Sequence, residues 1–104
     1  MSKIISYYSD NVDKCWYTSS NVVYSECIDH KDALKEVKVV FKNGNEYTYK
    51  DVPTYDYMMF RDAPSQGKAL NSILKKYEFV KSEEKRDLDL IKEELDNVFK
   101  LADQ

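Results

Sequence analysis

The run LKEVKVVFKNGNEYTYKDV, Leu34 to Val52, constrains the fold more than any other stretch. Val37, Val39 and Phe41 alternate onto one side of an extended chain, and so do Tyr47 and Tyr49. Two such runs joined through Asn43-Gly44 predict a β-hairpin. A two-residue loop would set Tyr47 opposite Val40 and Tyr49 opposite Lys38, which mixes the faces. A three-residue loop, Asn43 to Asn45, sets Phe41 opposite Tyr47 and Val39 opposite Tyr49, so that all four share one buried side. Register follows the buried face. The three-residue loop is therefore expected, with Asn45 in the left-handed region and Val40 on the other, less protected face.

The flanking segments fill in an α+β plan. Lys3–Tyr8 and Asn21–Ile28 are β-branched and aromatic and read as strands. SDNVDK between them reads as a turn, CWYTSS is undecided, and Asp29–Asp32 reads as a further turn. After Val52-Pro53 the apolar period becomes helical. Thr54 can cap a helix over Tyr55–Ala63, which stops before Pro64 because the residue before a proline avoids helical angles. Ser65 can cap a second helix, Gln66–Tyr77. Its apolar face is Leu70, Ile73, Leu74 and Tyr77, and Lys68, Asn71 and Lys75 form one polar row. A third helix is expected from about Glu83 to Leu101 behind a Ser82 cap. Leu88, Ile91, Leu95 and Val98 make a narrow apolar stripe on it. That stripe fits either the chain's own sheet or a subunit contact, which would make the protein a homo-oligomer. The expected architecture is a small antiparallel β-sheet with two short helices packed on it and a C-terminal amphipathic helix. Residues 1–80 form the domain and 81–104 the acidic helix.

Charge and composition narrow the function. The 104 residues fit one domain. Residues 1–80 carry 11 Lys/Arg and 11 Asp/Glu, whereas residues 81–104 carry 5 and 8. A neutral body with an acidic tail argues against a general nucleic-acid binder, whose affinity comes from neutralising phosphates. No apolar run approaches the roughly 20 residues of a membrane span. The opening MSKIISYYSD has no apolar core of a secretion signal. A cytoplasmic protein without membrane contact is expected. Cys15, Cys27 and the single His30 cannot assemble a Cys/His zinc set; the thiols read as small hydrophobes. No cofactor or metal is expected. No Ser or Cys nucleophile is placed beside His30, and no carboxylate pair has catalytic spacing. The chain reads as a non-catalytic binder.

The candidate site is DAPSQGKALNSILKKY, Asp62 to Tyr77. A helix start exposes free N–H groups and the positive end of the dipole, which together can hold an anion. Ser65 would cap it, Gly67 would let a ligand approach, and Lys68 would add charge. Asn71 and Lys75 would continue the same face. Of the rings crowded before this stretch, Tyr57 and Phe60 are the candidates to stack a base. Arg61 could turn toward the same corner. The competing reading is an ordinary cap, with Gly67 packed under the sheet. The phosphate-loop pattern G-x-x-x-x-G-K-[ST] is absent.

These residues carry a resemblance. The stretch from about Ser19 to Tyr77 resembles the KTSC domain, named for its occurrence at the C-terminus of some lysyl-tRNA synthetases. The family pattern is a hairpin F-x-x-G-x-x-Y-x-Y-x-x-V-P followed by A-x-S-x-G-x-x-[FY]-N-x-x-I-R. Phe41, Gly44, Tyr47, Tyr49, Val52, Pro53, Ala63, Ser65, Gly67, Asn71 and Lys75 stand in those places. Leu70 replaces the usual aromatic, Leu74 the Ile and Lys75 the Arg; a Lys cannot form the bidentate fork of an Arg. The acidic tail lies outside the pattern. A chain of this type is also similar to small phage-encoded anti-defence sponge proteins. That second resemblance implies a homo-oligomer that sequesters a cyclic nucleotide or cyclic ADP-ribose-type signal in the host cytoplasm. The alternatives are a protein-interaction module acting through the C-terminal helix and an RNA- or tRNA-binding domain, which the charge opposes.

Overall fold

The computed structural model describes residues 3–19, 21–29 and 34–102. The turn expected at Asp29–Asp32 lies, Asp29 apart, outside them, as does His30. Six strands, β1 (Lys3–Ser9), β2 (Val12–Tyr17), β3 (Val22–Ile28), β4 (Leu34–Phe41), β5 (Glu46–Pro53) and β6 (Phe79–Lys81), form one antiparallel sheet in the order β1-β2-β3-β4-β5-β6. Each strand pairs with its sequence neighbour; connections are short from β1 to β5, whereas β6 returns to β5 only after the helices. Helices α1 (Thr54–Arg61) and α2 (Gln66–Ala69) follow β5, and α3 (Leu88–Ala102) follows β6. The α+β plan therefore holds. Among the described residues no helix is long and apolar enough to cross a membrane.

The turn expected over SDNVDK shrinks to Asp10-Asn11, both at positive φ (52° and 65°). Two left-handed residues suit the right-handed twist of a tight hairpin. Ser9 ends β1, and Val12–Lys14 open β2, which runs on through the undecided segment, where Cys15, Trp16 and Tyr17 are all buried. The alternation is lost there because the sheet is covered on both faces, so neighbouring residues are buried on opposite sides.

The β4–β5 loop has three residues, but they are Lys42–Gly44 rather than Asn43–Asn45. Gly44 N–H donates to the Phe41 carbonyl and Phe41 N–H to the Asn45 carbonyl, both at 2.9 Å. Val39 pairs with Tyr47 and Val37 with Tyr49. The pairing slips by two, so the shared face survives and the Phe41 and Tyr47 rings still meet at 5.3 Å. Gly44, at φ 91°, takes the left-handed position because it has no Cβ to clash there. An added Cβ would also sit 3.2 Å from the Arg86 carbonyl oxygen.

One face of the sheet carries α1 and α2 over Cys15, Val22, Val37, Val39, Tyr49 and Val52. The other carries α3, whose Ile91 and Val98 bury Trp16, Tyr24 and Val40. Val40 is thus fully buried, and the expectation of a less protected face is overturned. The stripe Leu88, Ile91, Leu95 and Val98 packs on the chain's own sheet. Trp16 Nε1 donates to the Ile91 carbonyl at 3.0 Å and Lys14 pairs with Glu94 at 3.2 Å.

Helix limits also shift. Thr54 is the first residue of α1, not its cap, and Pro53 precedes it without a side-chain bond. The second helix turns wide after Ala69: Leu70–Leu74 is π-helical, with Lys75 N–H reaching back five residues to the Leu70 carbonyl at 2.9 Å. Asp87 rather than Ser82 caps α3, accepting from Asp89 N–H at 3.0 Å. Ser82 instead donates to Glu46 at 3.1 Å. Ahead of it, β6 adds a strand to β5 that the sequence pattern does not announce.

Candidate functional site

Ser65 caps α2 as its residue type demands: its hydroxyl accepts from Lys68 N–H at 3.4 Å. The chain reaches this cap through a tight joint made by Gln66. Its buried amide nitrogen donates to the carbonyls of Phe60, Arg61 and Ala63 at 3.3, 3.2 and 3.0 Å. Its two N–H groups are shared among these carbonyls where α1 ends before Pro64, and the Phe60 carbonyl also accepts from Ala63 N–H at 3.3 Å. Gln66 is a determinant that pattern reading passes over, because a Gln in a first turn is ordinary. Its amide oxygen is buried with no partner among the described residues.

Beside this joint, α1, α2 and the π-helical turn border an open groove of about 440 Å³ lined by Met59, Pro64, Ser65, Lys68, Ser72 and Ile73. That falls within the roughly 300–1,000 Å³ usual for small-molecule sites. The groove joins an apolar floor to two of the expected ligand residues, Ser65 and Lys68. Asn71 and Lys75 are exposed but do not line it. The expected row Lys68, Asn71, Lys75 presumes 3.6 residues per turn, which the π-helical stretch breaks.

The other expected ligands are committed elsewhere. Tyr57 and Phe60 are 1% and 0% exposed. Neither presents a face on which a base could stack. Tyr57 belongs to a buried hydroxyl chain: Tyr17 meets Ser25 at 2.7 Å, and Ser25 meets Tyr57 at 3.1 Å. Burial drives both phenols well above the usual tyrosine range. Arg61 does not face the groove. It donates to Asp13 at 2.7 Å and to Asp62 at 3.0 Å. Hydrogen bonding to Asp62 raises its affinity for the proton, and the two carboxylates neutralise it. Gly67 is covered from within. A Cβ there would lie 2.6 Å from Nδ2 of Asn21, so the space read as room for a ligand holds this chain's own side chain.

Apolar surface beside the groove reaches solvent on the outer side of α1, where Tyr55, Met58 and Met59 are 71%, 45% and 46% exposed. Tyr55 and Met59 are one helical turn apart, so they continue the floor of the groove outward.

Sheet and helix pair define a small α+β domain with a groove on its helical face. The chain belongs to the KTSC domain family, whose model matches residues 19–79. The match takes in β3 to the start of β6 and leaves β1, β2 and α3 outside it. No curated protein and no solved structure matches the chain.

Proposed function

We propose that this chain is a non-catalytic binding module that takes a small nucleotide signal in the groove between α1 and α2. The observation that carries the reading is the meeting of Ser65 and Lys68 with the apolar surface of Met59 and Ile73 in one groove. Ser65 and Lys68 would hold phosphate or ribose oxygens, and the base would lie on Met59 and Ile73 in place of an aromatic ring. Lys68 is the one cation among the residues lining the groove, which suits a ligand with a single phosphate better than a diphosphate. Asn71 and Lys75 would act only from the rim. The phage anti-defence role, sequestration of a cyclic signal by a sponge, rests on the resemblance and not on this geometry. A homo-oligomer would have to form through surfaces other than the stripe of α3, which is occupied.

Isothermal titration with linear and cyclic nucleotides tests the proposal. Binding should be saturable, and Lys68→Ala should weaken it by about three- to tenfold, the scale of an ordinary net hydrogen bond, because Lys68 is exposed. A nucleotide that binds with the same affinity to Lys68→Ala and Ser65→Ala proteins would place its site elsewhere.

A second reading is favoured by the exposed Tyr55, Met58 and Met59: a protein partner docking on the helical face. Large exposed apolar side chains beside a groove suit such a contact. The expected route through the C-terminal helix would have to use the exposed Leu90, Phe99 and Leu101 of α3, since its stripe is occupied. A stoichiometric partner released by Met59→Lys, in a protein that binds no nucleotide, would decide for it.

A further inference from the structure

We infer a second ligand site, on the opposite face of the sheet, that takes a small carboxylate with an apolar body. Two β-bulges build it. The β1–β2 register shifts between Lys3 and Ile5, and the β3–β4 register between Val22 and Tyr24. A bulge turns an extra side chain out of the alternation. Here the extra residues are Ile4 and Val23, on the two strands that flank Trp16 of β2. Both line, with Trp16, a cleft of about 200 Å³. Leu88 and Leu95 of α3 close its far side. The cleft is below the roughly 300–1,000 Å³ of drug-sized sites, so it selects a fragment-sized ligand.

Charge selects the ligand's polar end. Two lysines, Lys42 from the β4–β5 loop and Lys92 from α3, line the same cleft. Both are exposed, and neither is ion-paired among the described residues. No carboxylate lines the cleft. An apolar hollow with two unpaired ammonium groups complements a monocarboxylate whose chain or ring enters the hollow. Asp89 and Asp96 stand one turn to either side of Lys92 on α3, so the preference for an anion over a neutral analogue is modest. The site is separate from the groove on the helical face. Ile4, Trp16 and all its α3 residues lie outside the family match.

The chain has a single Trp, which lies in this cleft and serves as the probe. Octanoate and its neutral analogue octanamide are titrated against the full chain, following Trp16 emission and its indole N–H signal by NMR. Octanoate should give a saturable change below about 10 mM, the weak end of fragment affinities. Lys42→Gln and Lys92→Gln should each weaken octanoate by about two- to fivefold, the scale of an exposed ion pair. Octanamide affinity should not move. Both substitutions are on exposed side chains and leave the fold intact. No saturable change by that concentration, equal affinity for octanamide, or a stationary indole signal while others shift would each overturn the inference.

Discussion

The Arg61 guanidinium grips the Asp13 carboxylate at 2.7 Å, joining the last turn of α1 to β2, with both side chains less than one-fifth exposed. Burial raises the Asp13 pKa even with the cation beside it. Ionised Asp13 is therefore tolerated chiefly because Arg61 is there, with a smaller pull from Lys3. Arg61→Ala should cost about 1–3 kcal/mol at pH 7, the scale of a charged group stripped of its partner. The sign with pH follows. A carboxyl whose folded pKa is raised favours the folded state once protonated, so the loss should shrink as the pH falls toward 4. Urea unfolding at pH 7 and pH 4 checks it. A loss that is equal or larger at pH 4 would show that Asp13 is not the reason for the cost.

Asp62 behaves oppositely. Hydrogen bonds from Arg61 and then Lys3 lower its pKa to about 2. A depressed carboxylate stabilises the fold above its unfolded pKa of about 4, and that contribution disappears as the pH falls through about 2. The side chain is 46% exposed, so solvent screens much of the gain. Asp62→Asn should cost about 0.5–1 kcal/mol at pH 7. Its unfolding curve should converge on that of the unaltered protein near pH 2, and a gap that persists there would contradict the assignment.

How far these features are legible in the sequence depends on how local their cause is. The hairpin face is legible because alternation alone places Val37, Val39, Phe41, Tyr47 and Tyr49 together. Its register is not, because both loops have three residues and the choice turns on whether Gly44 or Asn45 takes the left-handed position. β2 is hidden because Cys15, Trp16 and Tyr17 look like neither a clean strand nor a helix until both sheet faces are known to be covered. The Ser65 cap is legible from residue type. The commitments of Tyr57, Phe60 and Arg61 are not, since their partners Ser25 and Asp13 lie 32 and 48 residues away. Gln66 was invisible for the same kind of reason: its role depends on where α1 ends, and that is set by Pro64.

Val40 and Phe41 test the double cover. Val40 is fully buried under α3, whereas Phe41 is only half-buried at the hairpin end. Val40→Ala should cost about 2 kcal/mol from two lost methyl groups and the cavity. Phe41→Ala should fall below the roughly 3–5 kcal/mol of a fully buried ring. Chemical denaturation of the two variants should then give similar losses. A negligible loss for Val40→Ala would mean that α3 does not cover that face in solution.

The two thiols should be unreactive while the protein is folded. Cys15 and Cys27 are 0% and 7% exposed, and burial pushes their pKa values up to about 11 and about 12. The thiolate is the species that attacks a disulfide reagent, and it is scarce at pH 8 in such an environment. Ellman's reagent at pH 8 should label neither within minutes in the native protein and both in guanidinium. Rapid native labelling would show that α1 opens readily from the sheet.

Gly67 separates internal packing from ligand binding. Asn21 Nδ2 lies 2.6 Å from the position of an added Cβ, so Gly67→Ala must push that amide aside. Against this, Ala in place of a helical Gly gains roughly 0.5–1 kcal/mol of backbone entropy. Nδ2 is the outer end of an exposed side chain, so it can swing aside and offsets only part of that gain. The single substitution should therefore stabilise slightly. Gly67→Ala made in an Asn21→Ala background should stabilise by the full amount, a coupling of about a few tenths of a kcal/mol between neighbours. Thermal unfolding of the four proteins in the cycle measures it. Additive effects would mean that Asn21 does not hold the space, and Gly67 would again be free to admit a ligand. A coupled pair would mean that the glycine serves the fold, and that ligand contacts in this stretch fall to Ser65 and Lys68.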